Sequence, residues 1–101
     1  MHGFPPAPAD QVTLGNWRAA PHNRWALHHV REVVPSAEIT GDPDDVWKLE
    51  LGSDDLSGLG LAEALSASAT DALVVLHRGR VVFEYYAHGM GWNTPHILMS
   101  V

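Results

Sequence analysis

The sequence predicts an α+β fold in which helices pack against a β-hairpin belonging to a larger antiparallel sheet. Three observations carry this expectation. Two strand-like runs, 72–77 and 80–86, flank the dipeptide Arg78-Gly79. Residues 23–34 and 59–69 set apolar side chains at helical spacing. The first strand is apolar at every position from Ala72 to Leu76, the pattern of a strand covered on both faces.

Taken in order, residues 1–22 read as an extended N-terminal arm. Pro5, Pro6, Pro8 and Pro21 fall there, and proline continues neither a helix nor a central strand. Trp17 is expected to pin this arm to the body of the protein. Asn23 is a candidate N-cap for a helix over 23–34, with Trp25, Leu27, His28, Val30, Val33 and Val34 on its apolar face and Pro35 ending it. Gly41-Asp42-Pro43-Asp44-Asp45 has strong turn chemistry. The alternation in 46–51 predicts a short strand.

A second helix is expected over 59–69, with Leu61, Ala64, Leu65 and Ser68 on one face and Asp55 or Ser57 as its cap. Gly58 and Gly60 weaken its first turn by about 1 kcal/mol each relative to alanine. The hairpin 72–86 follows, with Gly79 free to take φ > 0. Residues 87–95 form a loop. The apolar run Ile97-Leu98-Met99-Ser100-Val101 then ends the sequence in mid-stride, which reads as a truncation, since natural termini tend to be polar and frayed.

Composition narrows the function classes. Of 101 residues, 46% are hydrophobic and 18% charged, as in a soluble globular protein. Twelve acidic against six basic side chains give a net charge of −6, with no basic patch to neutralise phosphates, so nucleic-acid binding is not expected. The absence of cysteine removes disulfides, thiolate nucleophiles and thiolate zinc sites. Residues 1–6 lack a basic segment followed by an apolar one, and the run from Ala72 to Leu76 is far too short to cross a bilayer. A cytoplasmic protein with no membrane partner is the expectation.

Several residues invite a functional reading that their pattern does not sustain. His22, His28 and His29 lack the i, i+4 pair with a carboxylate that a zinc-protease helix uses, so a metal site is not expected there. His77, His88 and His96 are scattered over strand, loop and pre-helix positions. Asp42, Asp44 and Asp45 lack the spacing and terminal glutamate of a calcium loop. Gly89-Met90-Gly91 is not followed by the Lys-Ser/Thr of a phosphate loop. Tyr85, Tyr86 and Trp92 read as core or loop-anchoring aromatics.

Four segments carry a closer likeness: Pro21-His22-Asn23-Arg24-Trp25-Ala26, Val34-Pro35-Ser36-Ala37, Thr70-Asp71-Ala72-Leu73-Val74-Val75-Leu76 and His96-Ile97-Leu98-Met99-Ser100-Val101. Their order and spacing resemble the start of the β-lactamase-related serine hydrolases, closest to the 6-aminohexanoate-dimer (nylon oligomer) hydrolases and their carboxylesterase relatives. The likeness spans residues 12–101 and is weakest over 38–68. It implies that residues 23–101 are the N-terminal portion of a β-lactamase/transpeptidase-like hydrolase domain, ending after the nucleophile position.

In such proteins Met-Ser-Val is followed by Ser-Lys, which completes Ser-x-x-Lys. The resemblance therefore places the nucleophile at Ser100 and the lysine two positions beyond Val101. It implies acyl transfer on a small amide or ester, without cofactor or metal. A serine hydroxyl needs an adjacent base, and a spacing of three puts the lysine on the same helical face. The helix N-terminus would add unpaired N–H groups for the oxyanion. The 101-residue chain, lacking that lysine, is expected to be inactive by itself. A β-lactamase or D-alanyl peptidase, and a non-catalytic binding module, stand as the alternative readings.

Overall fold

The computed structural model describes residues 3–99, and the chain divides into two compact units, 1–40 with 94–101, and 41–93. The first contains a 3-10 turn at Pro8–Asp10 and two single-turn helices, α1 (Asn23–Ala26) and α2 (Val30–Val33). The second contains β1 (Glu50–Leu51), a 3-10 turn at Ser57–Leu59, α3 (Leu61–Ala67), β2 (Ala72–His77) and β3 (Arg80–Tyr86). The protein thus contains both helices and a small three-stranded sheet, in keeping with the α+β expectation.

In the first unit the proline-rich stretch runs through successive turns rather than one extended run. Asn16 organises it: its Oδ1 accepts from Thr13 N at 2.8 Å, and its Nδ2 donates to the Gln11 carbonyl at 2.9 Å. His22 Nε2 donates to the Ala9 carbonyl at 3.0 Å and ties this stretch to the start of α1. Trp17 is half-buried and carries the Arg18 guanidinium over its ring at 4.8 Å.

The helix expected over 23–34 is broken into two. His29 takes φ −126°, ψ 32°, outside helical values, so the turn of α1 does not propagate into α2. The His29 ring explains the break in part. It stacks on Trp25 at 4.2 Å, nearly parallel, while its Nδ1 donates to the Trp25 carbonyl at 2.7 Å. That carbonyl would otherwise accept the i+4 backbone N–H of the same residue. Asn23 is not the cap either: it lies inside α1, and no side chain caps that helix. Ala26 is fully buried.

In the second unit β2 and β3 form the expected hairpin, from Ala72↔Tyr86 to His77↔Arg80. Arg78 and Gly79 both take positive φ, 52° and 77°, the geometry of a type I′ turn, whose twist matches that of the strands it joins. The register slips by one between Val75↔Phe83 and Leu76↔Val81, so Val82 is the extra residue of a β-bulge. The strand expected over 46–51 contracts to Glu50–Leu51 and pairs parallel with Arg80–Val81, so the sheet is mixed, in the order β1-β3-β2.

β2 is not covered on both faces in this chain. Leu73 and Val75 are half-buried, whereas Val74 and Leu76 are 44% and 51% exposed. The second helix spans 61–67, shorter than expected at both ends. Gly60, in the left-handed conformation (φ 61°), stands before it and separates it from the 3-10 turn. Leu65 is buried, and Leu61, one turn earlier, is half-buried. Ala64 and Ser68, expected on the same face, are exposed.

Candidate functional site

Ser100, the residue that the sequence singles out as nucleophile, lies outside the described residues, as does Val101. The segment leading to it is described through Met99. Ile97 N donates to the Leu27 carbonyl at 2.9 Å, and His28 Nδ1 donates to the Pro95 carbonyl at 3.1 Å. These two bonds hold the 95–97 stretch along the α1–α2 junction.

That pairing shapes a groove of about 460 Å³ whose walls include Leu27, His28, Val30, Pro95, His96 and Ile97. Its lining is mostly apolar, and His28, His29, Arg31, Glu32 and His96 bring ionisable groups to it. His28 and His96 meet edge to face, with ring centroids 4.9 Å apart and planes at 83°. A ring nitrogen of each lies within 4.8 Å of the other. Sequence reasoning grouped His28 with His22 and His29 and left His96 apart. Nothing local in the chain could have joined them, because His28 and Pro95 meet across 67 positions.

The other histidines have separate structural duties. His22 and His29 are tied to backbone carbonyls within their own unit. In the second unit His77 Nδ1 meets Asp54 Oδ2 at 2.6 Å, and His88 Nδ1 meets Asp71 Oδ1 at 2.7 Å.

The second unit also holds an open hollow of about 570 Å³, with Leu56, Leu61 and Phe83 as apolar lining and Asp54 and Glu63 as its acidic groups. Beside it, the Ser57 hydroxyl and then the Ser57 backbone N–H donate to Asp55, at 2.6 and 3.0 Å, and hold its carboxyl below the usual carboxylate range.

Asp42 serves the turn expected of it, its Oδ1 accepting from Asp44 N at 2.9 Å. Trp92 is 81% exposed and lines neither the groove nor the hollow. No helix among the described residues is long and apolar enough to cross a membrane.

No protein-family profile matches the chain, and no solved structure matches it. Among curated proteins, it is similar to the 6-aminohexanoate-dimer hydrolase of Paenarthrobacter ureafaciens, with 37% identity over 103 residues. The alignment takes in 97% of this chain and 26% of that enzyme. The chain therefore spans about a quarter of the length of the hydrolase that it resembles.

Proposed function

We propose that this chain supplies the N-terminal part of a serine hydrolase that cleaves small amides or esters, with linear 6-aminohexanoate oligomers as the substrate class. The observation that carries the reading is the 37% identity to a 6-aminohexanoate-dimer hydrolase, sustained over 97% of the chain. Ser100 is the nucleophile in this reading, and a lysine three residues beyond it is the base.

The chemistry is two-step acyl transfer. The lysine amine takes the Ser100 proton as Oγ attacks the carbonyl carbon. The tetrahedral intermediate collapses, the C–N or C–O bond breaks, and the proton passes to the departing amine or alcohol. Water then attacks the serine ester and releases the acid. Backbone N–H groups at the opening of the serine's helix stabilise the oxyanion, each donor commonly contributing about 3–4 kcal/mol.

In the same reading the β2–β3 hairpin belongs to a larger sheet of the β-lactamase/transpeptidase type. The apolar side chains of Val74 and Leu76 on the open face of β2 support this, because a second layer packed there would take them out of water. The 101-residue chain by itself has no turnover.

The test starts with the coding sequence beyond Val101, where the reading requires a lysine at the second codon. The encoded protein is then assayed on 6-aminohexanoate dimer and on nitrocefin. Dimer hydrolysis that falls by about 10³-fold or more in Ser100→Ala is the expected result. A stop codon directly after Val101 would favour a non-catalytic module. Nitrocefin cleavage without dimer cleavage would favour a β-lactamase, and full activity in Ser100→Ala would remove Ser100 from the mechanism.

A further inference from the structure

We propose that two copies of this chain pair antiparallel through the outer edge of β2, with Val74 of each copy on the twofold axis. The pairing uses the edge of the strand, not the open face on which the hydrolase reading packs a second layer. It involves neither Ser100 nor the groove.

The strand order β1-β3-β2 puts β2 at one end of the sheet. Ala87 N donates to the Asp71 carbonyl at 2.9 Å, so Asp71 directs its backbone toward β3. That direction alternates along an antiparallel ladder. Leu73, Val75 and His77 therefore face β3 too, while Ala72, Val74 and Leu76 turn their N–H and C=O groups to the outer edge. Among the described residues, no strand pairs with that edge.

Sheet edges are commonly guarded by charged side chains, proline or a bulge. From Ala72 to Leu76 the strand carries no charge and no proline, and the bulge lies in β3. Val74 and Leu76 are 44% and 51% exposed. Such an edge is a template for another strand.

A second copy fits it. Antiparallel pairing about Val74 sets Ala72 against Leu76 and Leu73 against Val75, apolar against apolar throughout. The outward-facing groups of Ala72, Val74 and Leu76 then meet in hydrogen-bonding register. The same orientation lays the Arg78–Arg80 turn of each copy toward the Asp71 end of the other and keeps the two basic turns apart. This match is one of sign along the strand and asks no new bond of Asp71, which keeps His88. The twofold arrangement closes at two copies. The opposite edge of the sheet is β1, only two residues long, too short to propagate a filament.

Sedimentation velocity of the 101-residue chain over a concentration series is the experiment. A reversible monomer–dimer equilibrium is expected. Val74→Lys and Val74→Glu should each weaken it by about ten-fold or more, because like charges then meet on the axis. Mixing these two variants should restore dimers. Val74→Pro should weaken pairing similarly while leaving the β2–β3 ladder intact, since the lost N–H faces outward. Leu59→Lys, at a site 65% exposed outside the sheet, should stay within about two-fold of the original. Circular dichroism checks the proline variant, and recovery on mixing shows that the charged ones fold. A monomer at every concentration, open-ended aggregates, an equal loss in Leu59→Lys, or no recovery on mixing would overturn the pairing. None of these results bears on the hydrolase reading, which Ser100→Ala tests.

Discussion

His88 Nδ1 donates to Asp71 Oδ1 at 2.7 Å, just beyond the open end of the β2–β3 ladder. Asp71 immediately precedes β2, and His88 follows β3 after Ala87. Ala87 N also donates to the Asp71 carbonyl at 2.9 Å, so backbone and side chain close the open end of the hairpin together. His88 holds this position at φ 53°, a left-handed conformation that costs a side-chain-bearing residue about 1–2 kcal/mol. The bond and the strain oppose each other at one residue.

Two substitutions separate them. His88→Ala loses the bond and keeps the backbone strain, so it should destabilise the chain by about 1 kcal/mol. His88→Gly loses the bond but relieves the strain, and should be the more stable of the two. Urea unfolding of the three proteins reads the order directly. An alanine variant as stable as the original would mean that the Asp71 bond contributes nothing.

At the other end of the hairpin, Arg78 takes φ 52° in the first central position of a type I′ turn, where asparagine is favoured. Arg78→Asn should stabilise the chain by about 0.5–1 kcal/mol, because the strain falls and the strands are left unchanged. Gly79→Ala, at φ 77°, should destabilise it by about 1–2 kcal/mol. Thermal melts of both variants test the pair. Opposite signs are expected, and a destabilising asparagine would contradict the turn assignment.

The contrast between the hairpin and the 23–34 segment shows what local sequence conveys. Residues 72–86 were legible because β-branched runs around a glycine specify their own pairing. The break at His29 was not, because it depends on an imidazole stacking on Trp25 and taking its carbonyl. Apolar spacing alone is blind to such competition between side chain and backbone. The juxtaposition of His28 and His96 was invisible for a different reason, as it arises only when residues 95–97 pair with the α1–α2 junction. The unbroken apolar run in β2 predicted more burial than this chain provides, with Val74 44% and Leu76 51% exposed.

Leu65 is the buried side chain of α3, and its loss should be felt throughout the second unit. Leu65→Ala removes methyl groups from a small core, a change that typically costs about 2–5 kcal/mol. A small chain has little stability in reserve. The expected outcome is loss of a cooperative unfolding transition by circular dichroism. Ser66→Ala, on the exposed neighbour, should melt as the original does. Matching melts for both would show that α3 does not hold the unit together.

Tyr86 offers a test at high pH. Its hydroxyl donates to Glu84 Oε1 at 2.8 Å. Deprotonation breaks that bond first of all, and it also leaves a partly desolvated phenolate beside a carboxylate, so the hydroxyl titrates above the usual tyrosine value of 10.0. A pKa raised in the folded state means that the contact contributes its stability below the unfolded value and loses it as pH climbs through the folded one. In a Tyr85→Phe background, Glu84→Ala should bring the Tyr86 midpoint back down toward the usual value, read by phenolate absorbance. Because the pair is exposed, stability near neutral pH should barely change while the midpoint moves. A midpoint indifferent to Glu84→Ala would show that the carboxylate does not hold the phenolic proton.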